Sequence, residues 1–219
     1  MTVPGTALPI SPRFAASILT AGLMLIGTAH AQFLRSHPGA TSTVAILNDT
    51  WNFENNEMRR SIAFAQKADE EGYSPVASLF RASVAAERVH LRNLALAMKK
   101  LGYEPEAVPE LVAVNSTAEN LRLELSSHSI YRENVLPALL AQARQEGFRG
   151  AIQGLTDAGR TEESLVKYYA GALAHLDSAK GKLSETYYVC STCGYITTNP
   201  DFHICKVCYH TREKHEAVS

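Results

Sequence analysis

Residues 67–90, KADEEGYSPVASLFRASVAAERVH, constrain the fold more than any other stretch of this chain. A helical end rich in charge stops at Gly72, a residue suited to the left-handed C-terminal position. Ser74-Pro75 then reads as the N-cap and first residue of a second helix. On that second helix Glu87 and His90 are three residues apart. This spacing puts a carboxylate and an imidazole on one face, about one turn apart, where both can reach one metal ion.

Helical periodicity extends over most of the chain. Long segments are expected over residues 43–71, 74–101, 116–147 and 148–180, with a connection over 103–115. Ser116 followed by Glu119 is a capping-box signal. Pro137 should kink the third segment. Four helices of this length most economically make a four-helix bundle.

The first 31 residues stand outside this scheme. A weakly positive start, an apolar run over 14–29 and the sequence Ala29-His30-Ala31 match a secretory signal peptide. The alternative is an uncleaved N-terminal anchor. Export to the periplasm is therefore expected, with no other membrane association. The formal charge of −1 offers no basic field for nucleic acid.

All four cysteines lie near the other end, as Cys190-x-x-Cys193 and Cys205-x-x-Cys208. Two such pairs in a short tail point to a tetrahedral four-thiolate site for iron or zinc. A pair of disulfides is the alternative in an oxidising compartment.

From Ile46 to His210 the chain resembles the rubrerythrin family. The stretch AFAQKADEEGYSPVASLFRASVAAERVH carries most of the likeness, with TAENL (117–121), QARQEG (142–147) and YYVC (187–190). The resemblance implies a mainly α protein: a ferritin-like four-helix bundle over 40–181, then a small rubredoxin-like domain over 186–216. It further implies a homodimer in which the tail of one subunit serves the bundle of its partner. The activity implied is reduction of hydrogen peroxide or oxygen at a non-haem iron centre in the bundle, by electrons from the cysteine-bound iron. The electron donor to that iron is left open.

The family's seven bundle ligands, five glutamates and two histidines, carry over incompletely. Glu54, Glu87, His90 and Glu162 match. The two third-helix glutamates fall at His128 and Tyr131, and the fourth-helix histidine falls at Leu165. Three matched carboxylates offset less cation charge than five, so a reduced site with one or two ions is expected. His128 and Tyr131 are candidate ligands in place of the lost glutamates, or else plain packing residues. Glu124, one turn before His128, is assigned to a solvated face, with a substitute ligand as the alternative. In the tail, Tyr209 stands where the family has glycine. The competing function is a ferritin-like metal-binding or structural protein that has lost catalysis.

Overall fold

The computed structural model describes residues 32–38 and 41–219, so the leader expected over residues 1–31 lies outside the described residues. Two long helices come first, α1 (Ser42–Glu70) and α2 (Ser74–Lys99). Thr41 caps α1 by accepting from the Val44 amide, and Gly72 ends the turn at a φ of +83°. The N-cap of α2 is Tyr73, one residue earlier than the sequence indicates, so Ser74 and Pro75 lie inside the first turn. Pro75 is tolerated there because first-turn amides have no helical acceptor.

The third segment begins as expected. Ser116 and Glu119 form the reciprocal capping box of α3 (Thr117–Ile130). The expected kink takes the form of one π-helical turn, Tyr131–Val135, before α4 (Leu136–Glu146). Pro137 lacks an amide hydrogen and its ring crowds the carbonyl four residues back, so the ladder widens ahead of it. The fourth segment is α5 (Arg149–Ala174), broken at His175 and followed by a short α6 (Leu176–Ala179).

The connection between α2 and α3 runs extended alongside α1 and is held there by three asparagines one turn apart. Asn48 Oδ1 accepts from the Glu106 amide at 2.8 Å, Asn52 Oδ1 from Val108 at 2.6 Å and Asn56 Oδ1 from Glu110 at 3.0 Å. Asn52 and Asn56 also donate to the Glu106 and Val108 carbonyls. The periods match: four helical residues advance about 6 Å and two extended residues about 6.6 Å. Pro105 and Pro109 occupy the alternate positions, where no amide is required.

Inside the bundle, two apolar clusters sandwich a polar layer. One is built on Phe64, Phe80, Leu121, Leu165 and Tyr169. The other is built on Leu47, Leu94, Met98, Tyr131 and Leu155. Between them along the helices lie the buried residues Glu54, Glu57, Glu87, His90, Glu124, His128 and Glu162.

The tail is a three-stranded antiparallel sheet in the order β2-β1-β3, with β1 (Tyr187–Cys190), β2 (Ile196–Thr197) and β3 (His215–Val218). Tyr187, Val189 and Ile196 join the apolar cluster of Phe64 and Phe80, so sheet and bundle share a core. Among the described residues, no helix is long and apolar enough to cross a membrane.

Candidate metal centres and the contact between them

The cysteine site is made by two similar knuckles. The Cys190 amide bonds to the Tyr195 carbonyl and the Cys205 amide to that of His210, at 2.9 and 2.7 Å. Each loop is closed by a further amide, that of Gly194 onto Cys190 and that of Tyr209 onto Cys205. Gly194 has a φ of +81°, and Tyr209 adopts the same left-handed conformation at +60°. The knuckle therefore survives the replacement of glycine, although an L side chain there costs about 1–2 kcal/mol.

The four cysteines are free thiols, which sets aside the disulfide alternative for this structure. Cys190 and Cys208 sulfurs are 3.6 Å apart, as are those of Cys193 and Cys205. A tetrahedron of sulfurs about 2.3 Å from a central ion has edges of about 3.8 Å. The donor set therefore fits a four-thiolate iron or zinc ion.

In the bundle, the interior is richer in carboxylates than the sequence comparison implies. Glu54, Glu57, Glu87, Glu124 and Glu162 are all at most 1% exposed. This corrects the expected depletion to three glutamates, and it corrects the assignment of Glu124 to a solvated face. Glu57 is a full member of the layer that sequence comparison passed over. The signal was present: Glu57 is one turn from Glu54 and Glu124 one turn from His128, so each shares a face with a recognised residue. With His90 and His128, the layer holds five glutamates and two histidines, the number and kinds the family uses, at partly different positions.

The four residues that match the family all point inward, in pairs. His90 Nδ1 meets Glu54 Oε2 at 3.0 Å, His128 Nδ1 meets Glu162 Oε2 at 2.5 Å, and Glu87 Oε1 accepts from Ser83 at 2.6 Å. Leu165 belongs to the first apolar cluster. Tyr131 belongs to the second; its ring stacks on Phe53 at 3.9 Å and its hydroxyl lies 3.5 Å from Thr50 Oγ1. Burial holds that phenol well above its ordinary pKa.

Arg60 balances part of the charge. Its guanidinium pairs with Glu57, with Glu124 Oε1 at 3.1 Å and with Glu110 at 3.5 Å. Burial pushes the Glu57 carboxyl up to about 8 despite Arg60. Burial works against Glu124 as well, yet Arg60, Glu57 and His128 together outweigh it and hold Glu124 at about 2. Burial, with the nearby Glu57 and Glu54 carboxylates, drives Glu87 well above the carboxylate range. For His128, burial opposes the charge, but the Glu162 and Glu57 carboxylates raise its pKa well above normal.

Glu54 Oε1, Glu57 Oε2, Glu87 Oε2 and Glu124 Oε2 are buried without a hydrogen-bond partner among the described residues. Each such group costs about 1–3 kcal/mol unless something satisfies it. Orphaned carboxylate oxygens from three helices in one buried layer fit metal cations.

The two centres meet through His90. Its Nε2 donates to the Cys193 carbonyl at 3.2 Å. Arg92 and Asn93 take the carbonyls of Ser191 and Thr192, at 2.7 and 2.8 Å. Three successive knuckle carbonyls are thus held by one face of α2. The resemblance implies a tail serving a partner's bundle, whereas here the tail sits on the bundle of its own chain.

The family model for rubrerythrin matches residues 45–164, more than half of the chain. The chain belongs to the rubrerythrin family. A nigerythrin from Nitratidesulfovibrio vulgaris is 30% identical over 155 residues, spanning 69% of this chain and 74% of that protein. A rubrerythrin from Porphyromonas gingivalis is 26% identical over 168 residues, 75% of this chain and 84% of that one. A solved nigerythrin in a mixed-valence state superposes with a TM-score of 0.73 at 27% identity, covering 82% of this chain and 88% of the other. A bacterioferritin of Desulfovibrio desulfuricans, at 17% identity and a TM-score of 0.60, shares the fold. Rubrerythrin membership makes this a ferritin-like bundle with a rubredoxin-like cysteine site, and places it among non-haem iron oxidoreductases.

Proposed function

We propose that this protein reduces hydrogen peroxide or oxygen at its bundle, using electrons that enter through the cysteine site. The observation that carries the reading is the Cys193–His90–Glu54 chain of contacts, which links the two centres within one polypeptide. Iron, when bound, supplies one-electron transfer at the cysteines and peroxide reduction in the bundle.

The residues have separable roles. The Cys193 carbonyl can only accept, so it fixes the proton of His90 on Nε2 and leaves Nδ1 to face the interior. Glu54, Glu87, His90 and Glu162 would hold bundle metal, one or two ions. The flanking apolar clusters keep bulk water out. Reducing peroxide to two waters takes two electrons and two protons.

The chain is proposed to act as an exported, periplasmic protein, from the composition of its first 31 residues, and as a homodimer, from its family. The bundle over 40–181 and the tail over 186–216 are proposed as its two domains.

The test is single-turnover reoxidation. The iron-loaded full chain is reduced without oxygen, mixed with peroxide, and the visible absorption of the ferric cysteine site is followed. The colour should return faster than in the Glu54→Ala variant. Equal rates would remove the bundle from the reaction.

Arg60 and Leu165 favour a second reading. A guanidinium already neutralises two of the glutamates, and one family ligand position is apolar. A ferritin-like metal-binding protein without turnover would load metal fully and show no bundle-dependent consumption of peroxide.

A further inference from the structure

We propose that Glu57, Glu124 and His128 form a divalent metal site of their own, in which Glu57 and Glu124, at positions the family does not use, join His128, at one that it does. The site would take a first-row cation such as zinc or ferrous iron. It does not rest on the redox reading, because a zinc-loaded, redox-silent bundle would satisfy it equally.

Three observations converge on this position. First, two of the three donor separations already match a bound ion. His128 Nε2 is 3.4 Å from Glu57 Oε2 and 3.3 Å from Glu124 Oε2. An ion with donors at about 2.0–2.1 Å in a tetrahedron has donor–donor edges of about 3.3–3.4 Å. Among the described residues, this trio and the four cysteines are the two groups of three or more whose ligand atoms all lie within 4.8 Å of one another.

Second, the atoms that would bind are the ones left over. Glu57 Oε2, Glu124 Oε2 and His128 Nε2 are buried and have no hydrogen-bond partner among the described residues. The other oxygen of each carboxylate is taken. Glu57 Oε1 receives Arg60 and the Ser127 hydroxyl, and Glu124 Oε1 receives Arg60 Nε. Each carboxylate is therefore held by one oxygen and presents the other.

Third, the histidine is oriented as a metal ligand is. Its Nδ1 faces Glu162 Oε2 at 2.5 Å. A carboxylate on one ring nitrogen fixes the tautomer that leaves the other nitrogen's lone pair for a metal. Glu162 acts here as a positioning residue. The trio supplies three ligands, which leaves a fourth position of the tetrahedron for water or substrate. Arg60 tempers the charge that two carboxylates would otherwise impose.

The competing arrangement is metal-free: a charged His128 imidazolium between Glu57, Glu124 and Glu162. Crystals of the full chain soaked with Co²⁺ or Zn²⁺ separate the two. Anomalous scattering is expected to show a peak bounded by Glu57, Glu124 and His128. In solution, Glu57→Gln with Glu124→Gln should lose one bound metal ion per chain by elemental analysis, with the cysteine-site absorption unchanged. Glu162→Gln should weaken binding at the trio about 10- to 100-fold. An anomalous map with density only at the cysteines or beside Glu54, or a double variant that loads as much metal as wild type, would overturn the proposal. The crystal experiment uses the unaltered chain, so it decides the matter even if a variant fails to fold.

Discussion

His90 bridges two parts of the molecule that lie 103 residues apart in sequence: its Nε2 donates to the Cys193 carbonyl at 3.2 Å while its Nδ1 faces Glu54. The approach depends on Gly194, where an added Cβ would lie 2.3 Å from His90 Nε2 and 3.1 Å from the Ala86 carbonyl. Gly194→Ala should push the knuckle off α2. The cysteine site should still load, because its ligands are untouched. Peroxide-driven reoxidation of that site should slow about tenfold or more, as expected when a relay is displaced by an ångström. Stopped-flow absorption would read it.

Arg60, part-buried beside the polar layer, pairs with both Glu57 and Glu124. Arg60→Met should destabilise the metal-free protein by about 1–3 kcal/mol, because it takes a charged hydrogen-bond partner from Glu57 and Glu124 and leaves them facing His128. Zinc should restore more stability to this variant than to wild type, since ligand binding to the folded state adds stability by mass action. Thermal melts with and without zinc give the comparison.

The Asn48–Asn52–Asn56 ladder fixes the extended connection. Asn52→Ala removes both the donor to Glu106 and the acceptor for Val108. A loss of about 1–3 kcal/mol is expected. Urea unfolding would measure it, and faster amide exchange at Val108 would localise it.

Tyr209 is strained at a φ of +60° and is 74% exposed, so its side chain contributes little packing. Tyr209→Gly should relieve the strain, and after the greater freedom of glycine in the unfolded chain the net gain should be about 1 kcal/mol. Slower transfer of the cysteine-bound metal to a chelator would report it.

Glu71 ties the end of α1 to the start of α3, accepting from the Thr117 amide at 2.9 Å. That hydrogen bond lowers the Glu71 pKa from its ordinary 4.5. A carboxyl depressed on folding stabilises the fold above its unfolded pKa and loses the effect as pH falls through the folded value. Amide exchange at Thr117 should therefore quicken as pH drops below about 4.5 once the intrinsic rate is divided out, and Glu71→Gln should flatten that dependence.

Much of the architecture was legible in the sequence. The capping box at Ser116, the stop at Gly72 and the paired cysteine motifs are local signals, each contained within a few residues. The site was only partly legible. Glu54, Glu87, His90 and Glu162 stand at the family's matched positions and lie buried in one layer with His128. Glu57 was missed and Glu124 was put on the wrong face, because a glutamate on a helix reads as solvated unless its counter-charge is known. The Asn ladder was missed for a related reason: its partners lie 52 to 58 residues away.

By itself, the order of residues determined the helical segments, the four-thiolate motif and the Glu87–His90 face. Helical period and ligand spacing are properties of contiguous chain. Only the packed molecule decided which carboxylates lie inside. Burying Glu57 and Glu124 is tolerable because Arg60 and His128 meet them there, and bringing Arg60 on α1 to Glu124 on α3 is a matter of how two distant helices turn toward each other.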